Sequence, residues 1–167
     1  GWGKCLPPGV LNNHDLSTLV DTSDEWIVSR TGMQERRISH VDVSDLAYVA
    51  CARALACAGK TADQVDMIIF GGCSNDTQVP NSSSRVQQLL GANNAACMDI
   101  NTACTSGMYA MSVASAMIQA GTIRSALIIG AEVISPFMDW TDRNVAILFG
   151  DGAAAFYLEA DDSGEEI

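Results

Sequence analysis

The chain has 167 residues, 48% of them hydrophobic and 17% charged, and its formal net charge at pH 7 is −11. This size and composition suffice for the core of one globular domain, and no apolar run approaches the roughly 18 residues of a membrane-spanning helix. The acidic balance opposes a nucleic-acid partner, which needs a basic face. We therefore expect neither nucleic acid nor membrane among its partners.

The predicted elements alternate between short apolar strands and helices that begin at polar residues and end at glycine. In chain order they are the end of a strand over 1–8, short helices over 15–20 and 24–29, a helix capped by Ser44 or Asp45 that ends at Ala58, a strand over 65–70, a helix over 82–90, a strand over 95–100, a helix over 105–120, and strands over 125–131 and 153–159. This alternation predicts an α/β fold in which helix layers enclose a mostly parallel five-stranded sheet with an antiparallel last strand.

We interpret residues 1–160 as one domain and the acidic residues 161–167 as the start of a linker. No basic segment precedes an apolar stretch at the start, so no signal peptide is expected. Six cysteines without a C-x-x-C pair favour reduced thiols and a cytoplasmic location, and no metal site is expected.

Cys104 lies in Asn101-Thr-Ala-Cys-Thr-Ser-Gly107, where a predicted strand turns into a predicted helix. A thiol at a helix N-terminus faces unpaired backbone N–H groups and the positive end of the helix dipole. Both stabilise the thiolate, which is the nucleophilic form of cysteine. Cys104 is therefore the predicted nucleophile.

The other cysteines favour an inert interpretation, because most cysteines behave as small buried hydrophobes. Cys51 and Cys57 lie in an alanine-rich predicted helix and Cys97 in a predicted strand, whereas Cys5 and Cys73 lie near strand ends without a helix-start signal.

The helix after Cys104 carries small and apolar residues and no charge before Arg124. A helix that is apolar all round is typical of a buried position with closely packed neighbours.

Three arginines, Arg30, Arg36 and Arg37, fall within eight positions. Such a cluster on an acidic protein could hold phosphates. A solvated face with local salt bridges to Glu35 explains the charges equally well.

Four segments, in order along nearly the whole chain, resemble the β-ketoacyl-acyl carrier protein synthase III family. They are Asp21-Thr-Ser-Asp-Glu-Trp-Ile-Val-Ser-Arg-Thr-Gly-Met-Gln-Glu-Arg-Arg-Ile38, the Cys104 turn, Thr141-Asp-Arg143, and Phe149-Gly-Asp-Gly-Ala-Ala-Ala155. The resemblance implies a thiolase-like fold, a homodimer, acyl-coenzyme A and acyl carrier protein as partners, and no permanently bound cofactor.

The resemblance also implies roles for individual residues. Cys104 would take an acyl group from acyl-coenzyme A, and malonyl-acyl carrier protein would then lose carbon dioxide and attack the thioester. Trp26 would stack on the adenine of coenzyme A, Thr22 and Arg30 would lie in its binding stretch, and Arg143 would meet its phosphates. Val79, before Pro80, would help to close the acyl pocket of the partner subunit.

The family's catalytic His and Asn come from a second half, and neither His14 nor His40 matches a catalytic segment. The chain therefore resembles an N-terminal half that carries the nucleophile. Two alternatives stay open: a related condensing enzyme of secondary or olefin metabolism, and a non-catalytic half-domain that acts as an interaction module.

Overall fold

A computed structural model describes residues 1–161 of the chain; the predicted linker, residues 161–167, lies outside this range except for its first residue. The main sheet has five strands in the order β1-β7-β6-β4-β5. Their bounds are β1 Trp2–Cys5, β4 Met67–Gly71, β5 Ala96–Ile100, β6 Ser125–Glu132 and β7 Gly152–Glu159. β4 pairs in parallel with β5 and β6, whereas β7 pairs antiparallel with β6 and β1. The predicted mostly parallel sheet with an antiparallel last strand is confirmed.

Helices cover both faces of this sheet. α3 (Val43–Ala58) and α4 (Ser82–Leu90) lie on one face, over a core that includes Ile68 and Ile129. α5 (Ser106–Gln119) lies on the other face and packs Ala110 and Ala114 against Ile69 and Ile128. Successive strand residues therefore face opposite helix layers, which explains why the central strands read as continuous apolar runs.

The prediction that α5 is buried all round is wrong for the described residues. Only Ser106, Ala110 and Ala114 of this helix are buried, while Met108 is 73% exposed and Tyr109 is 55% exposed. A helix that packs on one sheet buries one face, and its other apolar face stays open to a further layer.

A second, two-stranded antiparallel sheet that the sequence did not predict lies beside the main sheet. β2 (Gly9–Asn12) pairs antiparallel with β3 (Glu35–Ile38), and the short helices α1 (Asn13–Ser17) and α2 (Asp24–Thr31) lie between the two strands in the chain. Together with α6 (Arg143–Ala146) they share a small core around Leu16 and Ile27.

Several helix ends follow the predicted signals, and others need correction. α1 is Asn13–Ser17 rather than 15–20, because Asn12 caps it, and α2 runs on to Thr31 rather than ending at residue 29. The N-cap of α3 is Asp42, rather than Ser44 or Asp45, and the buried Ser44 donates its backbone N–H to Asp76 Oδ1 at 3.3 Å. Gly59 and Gly91 end α3 and α4 in the left-handed conformation, as predicted for glycine. Across residues 1–161, each helix is too short or too polar to cross a membrane.

Candidate active site

Cys104 lies in a tight turn that joins β5 to α5. A single 3-10 turn, Ala103–Thr105, precedes the helix, and Ala103 has a positive φ of 52°. This left-handed conformation costs a residue with a Cβ about 1–2 kcal/mol and is found preferentially where function demands it.

Hydrogen bonds on either side of Cys104 close this turn. Thr102 donates its backbone N–H to Ser106 Oγ at 2.9 Å, and Ser106 Oγ donates to the carbonyl of Ala103 at 2.7 Å. Thr105 Oγ1 donates to the carbonyl of Thr102 at 2.8 Å. The Cys104 side chain is exposed at this rigid turn, so the predicted position at the start of a helix is confirmed.

The end of β4 approaches the same turn closely. A Cβ added to Gly71 would stand 2.7 Å from the carbonyl carbon of Ser106, so only glycine fits there. Cys73, two residues further on, lies close enough to Cys104 for an electrostatic interaction. Cys73 also lines a cavity of about 770 Å³, together with Asn101, Phe137 and the segment 74–78. This cavity, which we call the loop cavity, therefore borders the Cys104 turn.

The cysteines differ in exposure and in pKa. Burial raises the pKa of Cys51, Cys97 and Cys5 above the ordinary thiol value. Burial, and then the hydrogen bond and charge of Glu132, also raise the pKa of the exposed Cys73.

The interpretation of Cys57 as a buried hydrophobe is wrong, because its side chain is exposed on α3. It lies in the last turn of that helix, on a face that the sheet does not cover.

Two guanidinium groups lie over the indole ring of Trp26. The Cζ atom of Arg30 lies 4.2 Å from the centroid of the indole and that of Arg143 lies 4.7 Å from it. Cation–π attraction stabilises each of these contacts. We refer to these three residues as the Trp26 cluster.

A cavity of about 540 Å³ adjoins the Trp26 cluster. Arg143 lines it with Asp21 and Thr141, and Arg143 Nη1 donates to the carbonyl of Asp21 at 3.4 Å. The next residue, Thr22, has a buried Oγ1 without a hydrogen-bond partner among the described residues. The structure thus brings together Thr22, Trp26, Arg30 and Arg143, which the resemblance had grouped, and it places them apart from the Cys104 turn in the chain and in the fold.

The three clustered arginines have separate environments, so the proposed joint phosphate cluster is wrong. Arg36 is buried and donates to the carbonyls of Leu11 and Ile147, both at 3.2 Å, and to Asn13 at 2.9 Å. Burial lowers the pKa of Arg36. Arg37 pairs with Glu35 at 3.1 Å, and of the three arginines only Arg30 contacts Trp26 in the described structure.

Two carboxylates that the sequence analysis missed border the loop cavity or its walls. Asp99, at the end of β5, accepts four hydrogen bonds from Asn75, Asn81, Ser82 and Ser83. Glu132, at the end of β6, accepts hydrogen bonds from Cys73 and Ser74. A lone acidic residue at the end of an apolar strand is the signal that could have pointed to either one.

Both histidines are exposed, His14 on α1 and His40 in the loop before α3. Within residues 1–161 there is no group of three or more His, Cys, Asp or Glu side chains that could hold a metal ion.

Comparison with known proteins connects this geometry to one class. A sequence model described as 3-Oxoacyl-[acyl-carrier-protein (ACP)] synthase III matches residues 98–167. The chain is 57% identical over 158 residues to beta-ketoacyl-[acyl-carrier-protein] synthase III 2 of Vibrio cholerae, a match that covers 95% of this chain and 44% of that protein.

Solved structures show the same fold. The 3-oxoacyl-[acyl-carrier-protein] synthase III of Aquifex aeolicus superposes with a TM-score of 0.96 at 38% identity, over 98% of this chain and 53% of that one. The priming β-ketosynthase of the R1128 polyketide pathway superposes with a TM-score of 0.94 at 31% identity, over 97% of this chain and 49% of that one.

The sheet, its two helix layers and the cysteine turn therefore define a thiolase-like condensing-enzyme fold. Within this class the chain is similar to the 3-oxoacyl-[acyl-carrier-protein] synthase III family. It spans about half the length of the relatives it matches, and this share fits the half that the sequence predicts.

Proposed function

We propose that residues 1–160 are the nucleophile-bearing half of an enzyme that condenses acyl-coenzyme A with malonyl-acyl carrier protein in the initiation of fatty acid biosynthesis. The observation that carries this proposal is the exposed Cys104 in the first turn before α5, beyond the end of the parallel strand β5. A position at the start of a helix is typical of nucleophilic cysteines.

In the first step the Cys104 thiolate attacks the thioester carbonyl of acyl-coenzyme A. A carbon–sulfur bond forms to Cys104, the bond to coenzyme A breaks, and coenzyme A leaves with the proton that the cysteine gave up. Malonyl-acyl carrier protein then loses carbon dioxide, and the resulting enolate attacks the acyl-cysteine carbonyl and expels the Cys104 thiolate.

The Trp26 cluster is the proposed coenzyme A site. Trp26 offers an aromatic surface for the adenine, Arg143 offers donors for the phosphates, and Arg30 lies beside the ring. The unpartnered hydroxyl of Thr22 offers a further hydrogen bond to the same ligand. No permanently bound cofactor or metal takes part in this proposal.

The proposed enzyme is a cytoplasmic homodimer that receives malonyl groups from acyl carrier protein. Val79 is 85% exposed, so its side chain is accessible to another chain. In the dimer, Val79 closes the acyl pocket of the partner subunit.

The test is a malonyl-acyl carrier protein condensation assay on the complete enzyme with the variants Trp26→Ala and Arg143→Ala. We expect each to raise the KM for acyl-coenzyme A about tenfold, which corresponds to about 1.4 kcal/mol of binding, with kcat less affected. Arg85→Ala on α4, whose guanidinium contacts only Gln88 among the described hydrogen bonds, is the control. An unchanged KM in both variants would contradict the proposed coenzyme A site.

A second candidate is a priming condensation in polyketide synthesis, favoured by the likeness to the R1128 priming β-ketosynthase. Product analysis with a panel of acyl-coenzyme A primers separates the two. Condensation products released only onto a polyketide carrier protein would favour the second candidate.

A further inference from the structure

The segment 72–84, which we call the α4 loop, connects β4 to the first turn of α4 and is tied down by a carboxylate at its far end. Asp99 Oδ2 accepts from Asn75 Nδ2 at 2.7 Å and from the backbone N–H of Ser82 at 2.9 Å. Asp99 Oδ1 accepts from Asn81 Nδ2 at 3.1 Å and from the backbone N–H of Ser83 at 3.0 Å.

These bonds make Asp99 the cap of α4, although it lies on another element. Asn81 occupies the N-cap position and makes no capping hydrogen bond with its side chain. The Asp99 carboxylate fills that role from the end of β5, and its negative charge stands at the positive end of the α4 dipole.

The near end of the α4 loop is tied down by a second carboxylate. Glu132 Oε1 accepts the backbone N–H of Cys73 at 2.8 Å, and Oε2 accepts the backbone N–H of Ser74 at 3.0 Å as well as its hydroxyl. Ser74 Oγ in turn accepts the backbone N–H of Val133 at 2.8 Å. The loop is therefore bonded to the ends of β5 and β6.

Between the two anchors the loop projects outward. Thr77 to Pro80 are exposed, and Val79 reaches 85% exposure. Hydrogen bonds to charged groups contribute about 1.5–3 kcal/mol each, so Asp99 and Glu132, together with the longer 3.3 Å bond from the backbone N–H of Ser44 to Asp76, determine where this tip stands.

We infer that Asp99 and Glu132 are positioning residues that set acyl-chain selectivity in the partner subunit, by fixing the α4 loop and hence Val79. This inference rests on the proposed function, in which Val79 closes the partner's acyl pocket. Asp99 lies near the end of β5, five residues before Cys104. The end of this strand therefore positions both the nucleophile of its own site and, through the α4 loop, a wall of the partner's acyl pocket.

The test uses Asp99→Asn in the complete dimeric enzyme. The amide keeps one acceptor oxygen and places an NH₂ group against two donors, so the tip loses its fixed position. The ratio of kcat/KM for octanoyl- over acetyl-coenzyme A should move toward one by about threefold or more, a small part of the roughly hundredfold that a 1 Å misplacement can cost. Glu132→Gln should shift the same ratio in the same direction.

Mixed dimers distinguish a loop effect on the partner from damage to the variant's own cysteine turn. In each, one chain carries Cys104→Ala, and two different affinity tags isolate the heterodimer. With Asp99→Asn on the Cys104→Ala chain the ratio should shift; with Asp99→Asn on the chain that retains Cys104 it should not. A shift in the second arrangement, or no shift in either, overturns the inference.

Asp66→Asn is the matched control, because Asp66 accepts the backbone N–H groups of Arg124 and Ser125 at the opposite end of the sheet. It should leave the ratio unchanged. If the wild-type enzyme shows no condensation, the proposed function fails, and amide hydrogen exchange of residues 75–81 still tests the positioning. Faster exchange in Asp99→Asn than in Asp66→Asn supports it, and equal exchange overturns it.

Discussion

At the scale of single residues, Cys104 combines two properties that no other cysteine has together. Its thiol is exposed, and it directly precedes the long helix α5. Cys73 is also exposed, but its raised pKa keeps it mainly in the unreactive thiol form at neutral pH. Cys57 is exposed in the last turn of α3, away from any helix start.

Cys104 should therefore be the cysteine that a short acyl-coenzyme A acylates fastest in the complete enzyme. Brief exposure at pH 7 followed by intact-mass measurement and peptide mapping checks this. Because the pKa of Cys73 is raised, labelling of Cys73 by a small alkylating agent should grow as the pH rises toward that pKa. Dominant acylation at Cys73 or Cys57, or unchanged acylation in Cys104→Ala, would contradict the assignment.

Val79 gives a second residue-scale prediction. An aromatic ring at this position would fill space that a valine leaves open, and each further buried methylene of a primer contributes about 0.8 kcal/mol. Val79→Phe should therefore lower the ratio of kcat/KM for octanoyl- over acetyl-coenzyme A. Gln78→Ala, beside it on the same exposed tip, serves as the control. An unchanged ratio in Val79→Phe would show that Val79 does not set the pocket depth.

At the scale of elements, the two-stranded sheet β2–β3 depends on one buried cation. Arg36 satisfies two backbone carbonyls and the side chain of Asn13. Asn13 in turn donates to Asp24 and to the carbonyl of Met33, both at 2.8 Å. This network connects β3 to α1, α2 and the end of α6. Of these elements, α2 and α6 carry the residues of the Trp26 cluster.

Arg36→Ala should lower the free energy of unfolding of the complete protein by about 3 kcal/mol, because it leaves buried acceptors without donors. Arg37→Ala removes a partly exposed pair with Glu35 and should cost at most about 1 kcal/mol. Denaturant unfolding of both variants at one protein concentration measures the difference. Equal losses of unfolding free energy for the two arginine variants would mean that the Arg36 network does not stabilise the two-stranded sheet.

The elements that the sequence predicted are those whose signals are local. Strand β4 is an apolar run, and α4 begins at a polar cap and ends at Gly91, so a few consecutive residues suffice to recognise them. The two-stranded sheet was not predicted, because its strands of four residues lie more than 20 positions apart and lack a clear alternation of apolar and polar residues.

The site was predictable in the same unequal way. The helix-start position of Cys104 follows from adjacent residues, and the grouping of Trp26 with Arg143 came from a family resemblance. The capping of α4 by Asp99 joins two elements, and no pattern along the chain encodes it. The different environments of Arg30, Arg36 and Arg37 depend likewise on which side chain the two-stranded sheet buries.

At the scale of the whole molecule, the open face of α5 matters most. Met108 and Tyr109 on this helix are exposed, as are Trp2 and Phe156, which are partners in the β1–β7 pairing. Exposed apolar surface of this extent marks a face that another layer of protein covers. A thiolase-like fold with two similar halves supplies such a layer, and the same contact would bring the second half's residues toward Cys104.

The isolated 167-residue chain should consequently show no condensation with malonyl-acyl carrier protein. Decarboxylation develops an enolate, and removing one donor that stabilises such a charge typically costs on the order of a hundredfold or more in rate. His14 and His40 are exposed on elements outside the loop cavity, so neither replaces that donor. The measurement is turnover by the isolated chain beside the complete enzyme, with His14→Ala and His40→Ala as controls. Turnover by the isolated chain that either histidine variant abolishes would contradict this account, because it would place the enolate-stabilising donor within the first 167 residues.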